Sequence, residues 1–314
     1  MQGTGNPAGG EILFVDFMEQ WLEVIKPSIK LTTYGGYQYN VQMITCYFRE
    51  HKILLNRLTA EDINNFYQEK LKWLKATTIH KFYANISKAL KYAVQNGYIP
   101  FSVMDKVNRR KLGRFTGKFL KQSEAVELFE AVKGHKLELG VIFGAFYGLR
   151  RAEIVGLKWD VVDFDANTVT IEHTVTIATI DGKQRLIADD TTKTKSSFRA
   201  LPLVPDICEK LLKFKAEQEA NRRLCGKMYN KAEGCYLYVD ALGNRINPHY
   251  LTNEFPKFLV EHGFKRMRFH DLRHTNACGG CRFSRYIKSA WAHQHKHNRK
   301  TIYSRSPKKE IRSR

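Results

Sequence analysis

The chain has 314 residues, 43% of them apolar, and a formal net charge of +21 at pH 7. That length predicts two domains, and that apolar share excludes a disordered chain. The charge favours a polyanionic partner, with a solvated basic surface as the plain alternative, and no apolar run reaches bilayer length: the longest spans residues 141–149.

In chain order, Phe14, Phe17, Trp21 and Val24 fall on one helical face, predicting a helix over 12–26 that Pro27 stops. Tyr37, Val41, Ile44 and Phe48 repeat the pattern. Thr59 and Asp62 have the spacing of a capping box before Ile63, Phe66 and Leu71. Ile79, Phe82, Ile86, Leu90 and Val94 form another stripe, with Gly97 as its C-cap and Pro100 beyond. The first hundred residues thus predict an all-helical module of about four helices. Residues 105–118 interrupt the apolar pattern with Arg109, Arg110, Lys111 and Arg114, and read as a basic linker. Such a linker suits a DNA backbone and suits a solvated hinge equally well.

The second half opens with a helix over 123–132, then a helix apolar nearly all round over 137–147, hence buried. Val169, Ile171, His173, Val175 and Ile177 alternate as in a strand, and Asp181-Gly182 signals a hairpin. Residues 198–204 predict another strand, 206–223 a helix, 236–239 a short strand and 251–261 a helix. The class is mostly α with a small antiparallel sheet, an all-helical N-terminal domain followed by an α+β domain. Six dispersed cysteines and the lack of a signal-peptide pattern point to reduced thiols in a cytoplasm.

Three stretches carry chemistry. Gly148-Leu149-Arg150-Arg151-Ala152-Glu153 places an arginine at a helix start, suited to an anion; a surface Arg150–Glu153 ion pair is the bland reading. Lys193-Thr194-Lys195-Ser196-Ser197-Phe198-Arg199 lies in the turn before a strand, where the lysine can reach a substrate or simply be solvated. His270-Asp271-Leu272-Arg273-His274-Thr275 sets a His and an Arg three apart, on one face of a helix. That pair offers an acid/base and a bidentate phosphate ligand, or serves as a structural pair.

Taken together, in this order and at these separations, the stretches resemble the tyrosine recombinase (phage integrase) family, above all the integrases of temperate phages and conjugative transposons. The resemblance covers about residues 119–278, and residues 12–108 resemble the family's core-site-binding, SAM-like helical domain. It implies that Arg150 and Arg273 clamp a backbone phosphate, that Lys193 protonates the leaving 5′-oxygen and that His270 assists proton transfer. It also implies a tyrosine nucleophile, a phosphotyrosine intermediate, no cofactor, double-stranded DNA as partner, and self-association on DNA, as a tetramer in an active assembly. The residue types suit that chemistry. Two fixed guanidiniums stabilise charge growing on non-bridging oxygens without a metal, and removing one such donor costs about 3 kcal/mol in the barrier.

On this resemblance the chain divides into a disordered segment 1–11, a core-site DNA-binding domain 12–104, the linker 105–118, a catalytic domain 119–278 and an atypical, poorly ordered basic tail 279–314. The small arm-binding domain of many such integrases is expected to be missing ahead of Met1. The tail departs from the family, which continues with an apolar helix, Leu-Gly-His and a tyrosine. Residues 279–314 hold no Leu, Val or Asp, and eleven Lys/Arg against Glu310 alone. A reading frame advanced by one nucleotide after Cys278 lets Ala290-Trp291-Ala292 read Leu-Gly-His and Ile302 read Tyr, which predicts a frameshift. In the chain as it stands, His293 and Tyr303, ten apart, are the candidates for a second histidine and the nucleophile. Cys278, Cys281, His293 and His297 approach zinc-finger spacing. Three readings stay open: a recombinase acting through Tyr303, a DNA-binding remnant with the clamp but not the nucleophile helix, and a zinc-binding DNA-binding protein.

Overall fold

The structure is a computed structural model. It describes residues 12–108, 113, 117–190 and 198–278, with Gln122 and residues 276–278 by backbone alone. Two compact units result: residues 1–115 with 177–187, and residues 116–176 with 188–314.

In the first unit the helices are α1 (Phe14–Ile25), α2 (Leu31–Phe48), α3 (Ala60–Leu71) and α4 (Ala76–Gln95). Their apolar stripes meet in one core. Phe14, Phe48, Phe66 and Phe82, one from each helix, form a chain of ring contacts with centroids 5.0, 5.4 and 5.6 Å apart. One buried polar pair crosses this core, Asn40 donating to Asn85 at 2.6 Å. The Thr59 capping box forms as its spacing predicts: the Asp62 amide donates to the Thr59 hydroxyl, and the Thr59 amide to the Asp62 carboxylate. Val24 does not join the core. It is 55% exposed, because the face of α1 that packs inward runs through Phe14, Phe17, Met18, Trp21, Leu22 and Ile25 and leaves Val24 to one side.

The same unit takes in the tip of a hairpin, β3 (Thr174–Ile180) and β4 (Lys183–Asp189). Asp181 and Gly182 both have positive φ, 51° and 72°, as the tight turn requires. Ile180 is 2% exposed among the helical core residues. Gln38 and Asp181 bond reciprocally, side chain to carboxylate at 2.7 Å and backbone amide to side chain at 2.8 Å. Gly35 permits the contact, since a Cβ there would lie 2.5 Å from the Thr179 carbonyl oxygen.

In the second unit, α5 (Gln122–Ala131) is followed by α6 (Glu138–Val141), α7 (Arg151–Gly156), α8 (Pro205–Cys225), α9 (Pro248–Glu261) and α10 (Asp271–Cys278). A three-stranded antiparallel sheet has the order β1 (Val162–Asp163), β2 (Thr168–Ile171), β5 (Arg199–Pro202), with Val169 opposite Leu201 and Ile171 opposite Arg199. The fold is mostly α with small antiparallel sheets, an all-helical domain followed by an α+β domain. No described helix is long and apolar enough to cross a membrane.

Three local expectations are corrected. The buried helix over 137–147 is a single α-turn, α6, continued by a π-helical segment Ile142–Phe146. The strand read through 169–177 is broken at Glu172 and His173 into β2 and β3. His173 keeps its inward parity through the break because its ring is buried against Tyr236, Nε2 lying 3.1 Å from the hydroxyl. Residues 236–239 make no strand. Only isolated bridges form there, Lys158 with Tyr236 and Val239 with Arg245, so their β-type composition reflects burial rather than pairing.

Candidate active site

Arg150 is positioned by a turn and a carboxylate. The π-helical segment ends at Phe146, and two residues on stands Gly148, whose φ of +64° few other residues adopt without strain. The chain reverses there, and the Leu149 amide returns to the Phe143 carbonyl at 3.0 Å. Leu149 is 2% exposed and pins the turn. Arg150 follows in extended conformation as the N-cap of α7. Glu153, in the first turn, reaches back: Oε2 accepts the Arg150 amide at 2.8 Å and Oε1 accepts Arg150 Nη1 at 2.8 Å. The bland reading of this stretch, an Arg150–Glu153 ion pair, is therefore present, but it is lopsided. The glutamate side chain is 2% exposed and the arginine 51%, so the acid is structural while its partner faces outward.

A second cation shares the carboxylate. Arg199, the first residue of β5, donates from Nη2 to Oε2 at 3.0 Å and from Nη1 to Oε1 at 3.4 Å. Burial pushes the Glu153 pKa up, but hydrogen bonds from Arg199 and from the Arg150 amide and side chain outweigh it and hold the carboxyl below its ordinary value.

The third stretch is built around Asp271, 2% exposed at the start of α10. It accepts the Arg268 amide at 3.0 Å, Nε at 3.1 Å and Nη2 at 2.6 Å. Burial raises its pKa, and these Arg268 bonds bring it below the ordinary value. Leu272 is fully buried, and Thr275 accepts the Leu120 amide at 3.1 Å. With those residues turned inward, Arg273 lies part-exposed beside the first stretch, its Nη1 donating to the Gly148 carbonyl at 2.7 Å. That bond ties the two arginine-bearing stretches across 125 residues of chain. Burial and then the neighbouring Arg150 charge draw the Arg273 pKa below its ordinary value.

His270 precedes α10 rather than lying on it, contrary to the one-face reading; the Arg273 amide closes the turn onto the His270 carbonyl at 3.2 Å. The two residues still belong to one turn. Burial, then the charges of His274, Arg273 and Arg268, lower the His270 pKa and favour its neutral form. Its ring meets that of His274 edge-on, with centroids 5.7 Å apart.

Lys193, Cys281, His293, His297 and Tyr303 lie outside the described residues, as does the side chain of Cys278. The segment bearing Lys193 is flanked by described residues. Asp190, three positions before it, bonds the buried His173 and lies 3.7 Å from Lys158 Nζ. Arg199 follows six positions after. Among the described residues no cluster of three or more His, Cys, Asp or Glu is placed to hold a metal ion. Sequence reasoning placed Arg199 at the end of the Lys193 stretch without a role for it, and passed over the burial of Glu153. The signal for Glu153 was its place three residues after a helix-capping position; nothing local marks Arg199. The arrangement gives two part-exposed guanidiniums on stretches tied by a hydrogen bond, each held through Nη1, of a type suited to a tetrahedral oxyanion.

Residues 118–282 match the phage integrase family, and residues 13–71 match the phage integrase N-terminal SAM-like domain. A XerC-like tyrosine recombinase of Caldanaerobacter subterraneus subsp. tengcongensis is 25% identical over 286 residues, 85% of this chain and 72% of that protein. The prophage integrase IntR of Escherichia coli K12 is 23% identical over 213 residues, and the chain spans half of its length. Among solved structures, the lambda integrase (75–356) dimer bound to a COC′ core site aligns with a TM-score of 0.65 at 16% identity, covering 96% of this chain and all of that one. The Tn1549 transposon integrase in complex with circular intermediate DNA aligns with a TM-score of 0.64 at 16% identity, covering 83% and 84%.

Proposed function

The chain belongs to the phage integrase family, the tyrosine recombinases, and from that premise we propose that it binds duplex DNA and holds one backbone phosphodiester between Arg150 and Arg273 for strand cleavage and rejoining. The observation that carries this reading is the Arg273 bond to the Gly148 carbonyl, which brings the two arginine-bearing turns together. A phosphodiester under attack gains negative charge on its non-bridging oxygens, and both guanidiniums stand preorganised to receive it. His270, held toward its neutral form, accepts and returns a proton beside the clamp. Lys193 protonates the departing 5′-oxygen. A tyrosine hydroxyl attacks phosphorus and becomes a phosphotyrosine; the freed 5′-hydroxyl of a strand then attacks that link and releases the tyrosine. Bond energy is retained at each transfer, so no cofactor enters.

In this chain the cleavage step is impaired. The family match ends at residue 282, and the residues beyond lack the Leu and Val of an apolar docking helix. Tyr303 is the candidate nucleophile, and the sequence around it offers no apolar stripe of useful length to dock it at attack distance, where small misplacements are costly. The chain works in a cytoplasm and self-associates on DNA.

Duplexes selected by the chain from a random pool provide the test. Binding is expected to weaken steeply between low and moderate salt. A nicked suicide version of the selected duplex is expected to yield little covalent adduct, and none with Tyr303→Phe. Affinity indifferent to salt refutes DNA as the partner, and rapid, near-complete adduct formation refutes the impairment.

A further inference from the structure

We propose that Arg199 is a charge-compensating residue of the phosphate site: it neutralises the buried Glu153 carboxylate, so that Glu153 aims Arg150 without cancelling the positive charge Arg150 offers to DNA. The inference rests on the function proposed above and adds a positioning residue that acts through another.

A buried carboxylate used as an orienting acceptor carries an electrostatic cost. Glu153 fixes Arg150 through its backbone amide and its guanidinium, both at 2.8 Å. At 2% exposure its negative charge is poorly screened by water. Left alone, that charge would offset one of the two guanidiniums in the clamp. Protonation does not relieve the conflict, because the carboxyl stays ionised at neutral pH. Relief comes from a separate element. Arg199 enters from β5, opposite Ile171 of β2, and covers both Glu153 oxygens, at 3.0 and 3.4 Å. Its side chain is 26% exposed against 51% for Arg150, so it is turned toward the carboxylate while Arg150 is turned outward. Arg273 senses the charges of Arg150, Glu153 and Arg199, which places all four in one field. With Arg199 present the cluster offers the full charge of two arginines; without it, the charge of one.

The test measures affinity for a duplex selected by the chain, from 50 to 200 mM salt, with variants confirmed as folded by circular dichroism. Arg199→Ala and Arg199→Gln are expected to weaken binding at low salt. They should also flatten log K against log salt by about one unit, which makes the affinity lost over that range roughly 3-fold smaller. Arg199→Lys and the double variant Arg199→Ala/Glu153→Gln are expected to return both quantities toward wild type, the double variant because it removes both charges. Gln at 199 keeps a hydrogen-bond donor without charge, so a Gln variant that binds like wild type overturns the proposal in favour of a purely structural bond. A double variant as weak as Arg199→Ala overturns it too, since Arg199 then touches DNA or merely holds the fold. A second arm omits DNA: inorganic phosphate at constant ionic strength should raise Tm most for wild type, Arg199→Lys and the double variant, least for Arg199→Ala. If wild type shows no salt-dependent duplex binding, the proposed function fails, and the phosphate ranking still decides the role of Arg199. No ranking in the phosphate arm overturns the inference.

Discussion

Replacing Glu153 by Gln tests how far one buried carboxylate holds the site together. The side chain accepts four hydrogen bonds, two from Arg150 and two from Arg199, while 2% exposed. Gln keeps the shape and one acceptor oxygen, but its amide faces N–H groups. About two charge-assisted bonds are lost, each worth about 1.5–3 kcal/mol. Release of a buried charge offsets part of this, and the remaining amide oxygen still accepts from Arg150. The net expectation is a loss of about 2–3 kcal/mol, or roughly 5–10 °C in Tm for a unit of this size. The assay is urea unfolding followed by tryptophan fluorescence and circular dichroism as a function of pH. The folded-state pKa of Glu153 is lowered, so its contribution is fully present above the ordinary carboxylate range and disappears as pH falls through the folded value. The wild-type and Gln curves should therefore converge in acid, where the wild type carries the same uncharged group. Equal stability at neutral pH, or a gap that stays constant into acid while both remain folded, would falsify the account.

Gly35→Ala places a Cβ 2.5 Å from the Thr179 carbonyl oxygen and should cost about 1–3 kcal/mol, read as a lower urea midpoint for the helical unit; an unchanged midpoint refutes the packing of the hairpin tip. Leu272→Ala empties a fully buried position on α10 and should destabilise by about 2–5 kcal/mol, with weaker DNA binding because Arg273 loses its support; thermal unfolding and a binding titration check both. His270 should titrate below a free imidazole in a two-dimensional NMR pH series, and Arg273→Gln should bring it upward by removing a neighbouring positive charge; a raised value in wild type counts against the reading. Arg150→Ala should lessen the salt dependence of duplex binding by about one unit of slope, as expected for the loss of one phosphate contact, and no change would remove Arg150 from the interface.

The helical half was legible because its information is local. Stripes at 3.6-residue spacing found all four helices, and the Thr59–Asp62 box is a three-residue signal. The tip of the β3–β4 hairpin was legible as a turn at Asp181-Gly182, but not as a member of the helical unit. Its partners there, Gly35 and Gln38, lie about 140 residues away and leave no periodic trace. The break at His173 was hidden because burial keeps the alternation in phase across it. A further constraint there is Gly156, whose Cβ would stand 2.7 Å from the His173 carbonyl oxygen. In the site, spacing along the chain singled out Arg150 and Arg273. The acceptors that place them are a backbone carbonyl at Gly148 and a carboxylate shared with a strand 46 positions onward. A carbonyl has no letter in a sequence, and a lone strand arginine looks like any exposed one, so both stayed out of sight.

The membership of residues 177–187 in the helical unit sets a schedule for its birth. During synthesis, residues 96–176 must be translated after the last helix before that tip appears, a wait of roughly 4–16 s at ordinary elongation rates. Throughout that interval the nascent helices lack Ile180, and the seat it fills stands open to water and to other chains. A ribosome stalled between those points would hold a helical bundle with one apolar wall unfinished, the form of this protein most in need of a chaperone.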